Sequence, residues 1–170
     1  MTQSPQLDER TDTIPVREAH AFDVASLQRY LASHVELPGP LHVRQFRGGQ
    51  SNPTYLLQAG AQHYVLRRKP PGALLPSAHA VDREYRVMCA LRGTDVPVPR
   101  ALCYCADETV IGTAFFVMEY VDGRVYWEAD LPGQTRAQRA AIYDELNRVI
   151  AALHSLDPAA VGLADFGKAG

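Results

Sequence analysis

Apolar positions recur along this chain with two periods, 3.6 and 2, and the switches between them mark out its elements. Val24, Leu27, Leu31 and Val35 fall on one face of a helix over about 23–35, which Asp23 can cap and Leu37-Pro38-Gly39-Pro40 stops. Three strand-like runs follow. Leu41 to Arg47 alternates, with Leu41, Val43 and Gln45 opposite His42, Arg44 and Phe46. Thr54 to Gln58 is the second run and Gln62 to Arg68 the third, with turns at Gly48 to Pro53 and at Gly60. Connections this short predict an antiparallel meander.

Lys69-Pro70-Pro71-Gly72 ends the meander, and a helix over about 78–92 carries its apolar stripe on Val81, Tyr85, Met88 and Leu91. Pro97 and Pro99 force an extended path into two more strands, Ala101 to Ala106 and Ala114 to Val121, linked through Asp107-Glu108. A turn at Asp122-Gly123 leads on to a long helix over about 135–156, with Ile142, Leu146, Val149, Ile150 and Leu153 on one face. Five strands with one intervening helix predict an α+β fold and not a βαβ repeat. Residues 1–20 read as an extended arm. The last helix has no later element to pack against, so 122–170 reads as the beginning of a second, helical domain.

Composition narrows the class. The 170 residues are 46% hydrophobic and 21% charged with a net charge of −2, as in an ordinary globular domain. Seventeen basic against nineteen acidic residues give a polyanion nothing to read globally, which argues against nucleic acid as a partner. Fifteen of the seventeen are Arg, which keeps local anion sites open. Cys89, Cys103 and Cys105 are too few for a disulfide framework, and Cys103-x-Cys105 has the wrong spacing for a zinc knuckle. If that segment is a strand, both thiols face one side. No apolar run approaches 18 residues and the N-terminus has no hydrophobic core of a signal peptide, so no membrane is expected and the cytoplasm is the default location.

Four stretches could carry chemistry. Gly48-Gly49-Gln50-Ser51-Asn52 lies between paired strands, where glycines let backbone N–H groups approach an anion, although an ordinary hairpin loop reads the same way. In Tyr64-Val65-Leu66-Arg67-Arg68, strand parity puts Val65 and Arg67 on one face and Tyr64, Leu66 and Arg68 on the other. A small apolar side chain two positions before a cation can lie under a flat base while the cation reaches its phosphates; the plainer reading is a solvated basic strand end. Glu84 flanks the buried stripe of the second helix and can pair with a cation from the third strand. Phe116 to Gly123 runs a strand into a turn, exposing backbone groups able to meet an adenine edge.

Together, in this order, these features resemble the small lobe of the eukaryotic-like kinases. More closely, they resemble the aminoglycoside phosphotransferase family, on Phe46-Arg47-Gly48-Gly49-Gln50-Ser51-Asn52-Pro53-Thr54-Tyr55 and on Tyr64 to Pro71. Within it the likeness is nearest to the phosphotransferase-like proteins associated with acyl-CoA dehydrogenases, over about residues 15–170. The resemblance implies a protein-kinase-like N-terminal lobe at 21–121, a five-stranded antiparallel sheet plus helix, followed by the start of a helical C-terminal lobe at 122–170. It implies ATP and Mg2+ as cofactors and a small-molecule hydroxyl as acceptor. Gly48, Gly49, Ser51 and Asn52 would lie over the phosphates. Arg67 would stand where protein kinases have their third-strand lysine, with Glu84 as its helix partner. Met118 would back the adenine pocket, Val65 would pack on the base, and the Glu119 carbonyl and Val121 N–H would bind its edge.

The sequence departs from the family pattern in two ways: the loop lacks a full G-x-G-x-x-G, and arginine replaces lysine. A guanidinium has fixed charge and a forked shape, so phosphate binding should survive with altered geometry. The family's catalytic His-Gly-Asp occurs nowhere in these residues, so no catalytic or metal-binding residue is expected on the chain. Asp165-Phe166-Gly167 comes too early for the kinase metal motif, and His154 reads as structural. The expectation is the N-terminal part of an ATP-dependent phosphotransferase, inactive alone and packed on a helical lobe of its own. Two alternatives stay open: a nucleotide-binding pseudokinase or regulatory module, and an interaction domain that binds no nucleotide.

Overall fold

The computed structural model describes residues 12–48, 52–72 and 79–167. The chain divides into two compact units, Met1–Arg86 with Pro99–Tyr120, and Val87–Val98 with Val121–Gly170. The first unit is built on an antiparallel sheet. Its strands are β1 (Thr13–Ile14), β2 (Leu41–Phe46), β3 (Thr54–Ala59), β4 (Gln62–Arg68), β5 (Ala101–Cys105) and β6 (Phe115–Glu119), in the order β1-β2-β3-β4-β6-β5. The helices are α1 (Val24–Leu31), α2 (Val81–Leu91) and α3 (Arg136–His154).

The meander forms as the short connections predict. Gly60 turns β3 into β4 with φ +57°, a conformation that glycine adopts without strain. The sheet gains one strand over the expected five. Residues 12–14 belong to the stretch read as an extended arm, and here Thr13 and Ile14 pair with Phe46 and Gln45 of β2. Two residues are too short to show a strand period, so the pairing leaves no signature in the sequence.

Strand parity divides the side chains between two faces. On one, Leu41, Tyr55, Leu57, Tyr64, Leu66, Phe115 and Val117 form the core with Leu27 and Leu31 of α1. Leu27 and Leu31 are both fully buried, contributing about 1.5–3 kcal/mol each. Asp23 caps α1, its carboxylate accepting from the N–H groups of Ala25 and Ser26. Cys103 and Cys105 both face this core, as expected for alternate residues of one strand, and burial pushes the Cys103 thiol up to about 11.

Arg68 also lies on the core face and is only 2% exposed. The reading of this strand end as solvated therefore fails for Arg68. Its guanidinium donates to the Tyr55 hydroxyl at 3.1 Å and to the carbonyls of Ile111 at 3.1 Å and His20 at 3.0 Å, and it lies over the rings of Phe22 and Tyr55. Neutral oxygens and aromatic faces thus replace water around a buried cation. They also tie the segment ahead of α1 to the sheet: Arg17 N–H donates to Gln45 Oε1, and Gln45 Nε2 meets His20 Nδ1 at 2.9 Å.

In the second unit, α3 starts at a capping box, with Thr135 and Gln138 each satisfying the other's backbone N–H. Tyr143, Leu146, Ile150 and Leu153 recur along it at helical spacing and are between 43% and 50% exposed. Among the described residues, no helix is long and apolar enough to cross a membrane.

Candidate functional site

The second face of the sheet holds most of the expected site. Register pairs Thr54 with Arg67, Leu56 with Val65, Val65 with Met118 and Arg67 with Phe116. Directly paired residues point to the same side, so Thr54, Leu56, Val65, Arg67, Phe116 and Met118 share one surface. Val65 is 8% exposed, and Met118 beside it is half-buried.

The first half of α2 lies at the Arg67 end of this surface. Val81 is fully buried, and Tyr85 packs against Phe116 and Tyr104 with ring centroids 6.1 and 5.6 Å apart. With Val81 and Tyr85 seated, Glu84 is carried to β4. Its Oε2 accepts from Arg67 Nε at 2.5 Å and its Oε1 from Arg67 Nη2 at 3.4 Å. Arg67 Nη1 donates to Thr54 Oγ1 at 3.1 Å, and that hydroxyl donates to the Asn52 carbonyl. Three of the five guanidinium N–H groups are thereby engaged, and among the described residues two remain for a ligand. The Arg67 and Glu84 side chains are 29% and 36% exposed, so the pair is partly shielded and still reachable.

Asn52 closes the same network. It is 3% exposed, and its carboxamide turns away from solvent: Nδ2 donates to Glu84 Oε1 at 2.7 Å, and Oδ1 meets His79 Nδ1 at 2.9 Å. Its side chain anchors the end of the loop to α2. Gly48 is exposed at the other end of that loop. Gly49 and Ser51 lie outside the described residues.

Glu119 ends β6, where its N–H donates to the Arg100 carbonyl at 2.9 Å and its carboxylate accepts from the Arg100 N–H at 2.8 Å. Val121 is 59% exposed and belongs to the second unit. Among the described residues, no group of three or more His, Cys, Asp or Glu side chains is placed to hold a metal ion. Two members of the network were missed from sequence. Thr54 could have been found from its hairpin register opposite Arg67. His79 could not, since it sits between elements with no periodic neighbours.

A sheet face that presents Arg67 locked to a helix-borne Glu84 is the arrangement of a kinase small lobe. The model of the phosphotransferase enzyme family (APH) matches residues 42–170. The chain belongs to this family. Its fold is a protein-kinase-like N-terminal lobe. A crystal structure from Ralstonia eutropha JMP134, under the provisional name of aminoglycoside phosphotransferase, is 53% identical with a TM-score of 0.76, over 88% of this chain and 43% of that one. Acyl-CoA dehydrogenase family member 11 of Rattus norvegicus is 48% identical over 95% of the chain, and that of Homo sapiens 45% identical over 92%. The chain spans about a fifth of the length of these curated relatives, 21% in both cases.

Proposed function

We propose that this chain provides the nucleotide-binding lobe of an ATP-dependent phosphotransferase that moves the γ-phosphoryl group to a hydroxyl of a small molecule. The observation that carries this reading is the Arg67–Glu84 pair, with two guanidinium N–H groups left over among the described residues.

Arg67 would donate those two N–H groups to phosphate oxygens. Glu84 on one side and Thr54 on the other would hold the guanidinium plane, so little ordering remains when the ligand arrives. Val65 would pack on the base, Met118 would back the adenine pocket, and the Glu119 carbonyl would meet the edge of the base. Gly48, Gly49 and Ser51 would cover the phosphates through backbone N–H groups. In the transfer, the acceptor oxygen bonds to the γ-phosphorus as the bond to the ADP oxygen breaks, and the hydroxyl proton passes to a base. No His-Gly-Asp stands in the 170 residues, so that base would come from elsewhere in the complete protein. The magnesium ligands would likewise come from elsewhere in the complete protein, and the metal would enter with the triphosphate. Positioning and charge stabilisation are then the contribution of this lobe.

The test is label transfer from [γ-32P]ATP by the full-length protein to a panel of hydroxyl compounds. Labelled product that disappears in Arg67→Met supports the reading. MgATP binding without transfer to any acceptor favours a pseudokinase, and absence of MgATP binding overturns the reading.

A further inference from the structure

The Asn52 carboxamide reveals a device beyond the Arg67–Glu84 pair. A carboxylate only accepts hydrogen bonds, so the atom 2.7 Å from Glu84 Oε1 must be the Asn52 NH2 group. That orientation leaves Asn52 Oδ1 facing His79 Nδ1 at 2.9 Å, and an oxygen acceptor there requires that Nδ1 carry the hydrogen. His79 is held in the left-handed region at φ +58°, uncommon outside glycine but more accessible to His and Asn than to most residues. Its carbonyl accepts from the Val81 N–H at the start of α2. A continuous chain of hydrogen bonds therefore runs from His79 through Asn52 and Glu84 to Arg67, and returns through Thr54 to the Asn52 backbone.

We propose that His79 is a positioning residue for phosphate binding: by donating Nδ1–H to Asn52 it fixes the amide orientation that ties the end of the phosphate loop to Glu84, and through Glu84 sets the direction of Arg67. Without that donor the Asn52 amide can rotate, its NH2 leaves Glu84, and both the loop and the carboxylate lose a shared anchor. The inference rests on the nucleotide reading above, because Arg67 has a ligand to aim at only if a phosphate binds.

Calorimetric titration of the full-length protein with MgATP tests it in a double-mutant cycle. His79→Ala should raise Kd about fivefold to tenfold, the effect of one hydrogen bond in a shielded network. His79→Asn should stay within about twofold of the parent, because asparagine places an N–H donor near the position of Nδ1 and tolerates the left-handed backbone. In an Arg67→Met background, His79→Ala should add little, since nothing remains to be aimed. The ring should also show a protonated, pyrrole-type Nδ1 in long-range proton–nitrogen spectra.

An equal loss from His79→Ala with and without Arg67, failure of His79→Asn to restore affinity, or an unprotonated Nδ1 in a neutral ring would each overturn the inference. If Arg67→Met weakens binding while His79→Ala does not, only the role of His79 fails. If Arg67→Met leaves affinity unchanged, the nucleotide site itself fails.

Discussion

Replacing Arg68 with Met would test how a cation is accommodated inside this lobe. Methionine keeps much of the apolar stem and deletes the guanidinium. Three hydrogen bonds disappear, to Tyr55 Oη, Ile111 O and His20 O, together with two cation–π contacts centred 5.0 and 5.6 Å away. Hydrogen bonds from a charged donor contribute roughly 1.5–3 kcal/mol each, and a desolvated cation–π contact about 2. Against this stands the removal of a buried charge whose desolvation costs several kcal/mol. The balance rests on what is stranded. His20 O keeps the Tyr55 hydroxyl at 3.1 Å, whereas Ile111 O loses its guanidinium donor. One unmet carbonyl and lost ring contacts amount to about 3 kcal/mol, which for a chain of this size lowers Tm by about 6–12 °C. Differential scanning calorimetry gives the shift, and hydrogen exchange should show amides between residues 13 and 22 opening first. A Tm within about 1 °C of the parent would mean that desolvation cancels the contacts and that Arg68 does not hold this segment.

Burial and then the neighbouring Cys105 raise the Cys103 thiol to about 11, and burial raises Tyr30 and Tyr55. Each folded value lies above its unfolded one, so stability is complete below about pH 9 and declines as pH rises through 11; Cys103→Ala should flatten part of that decline in Tm. Native alkylation at pH 8 should label exposed Cys89 and spare buried Cys103 and Cys105, and mass spectrometry showing all three labelled at one rate would contradict the packing. Glu84→Ala frees Arg67 on one side and releases Asn52, so MgATP affinity should fall about fivefold or more by calorimetry, while an unchanged Kd would remove Glu84 from the site.

Much of this architecture was legible because β2 alternates, β3 and β4 are short strand-like runs, and short turns join the three. Parity alone placed Val65 with Arg67 and apart from Arg68. The same parity already grouped Arg68 with Tyr64 and Leu66, the buried side, but an arginine beside prolines at a strand end suggests solvent. Its carbonyl acceptors come from residues 43 and 48 positions away, a distance over which no sequence pattern operates. Likewise, Glu84 could be paired with a β4 cation from its place beside the helix stripe. The engagement of Asn52 by His79 and Glu84 could not, because it depends on how the chain crosses between β4 and α2.

The titration that bears most directly on the nucleotide site compares the full-length protein with its Arg67→Met variant against MgATP. Stoichiometric binding by the parent, weakened at least tenfold in the variant through loss of two charge-assisted hydrogen bonds, is the expected result. Equal affinity in the two, or no MgATP binding by the parent, would contradict it.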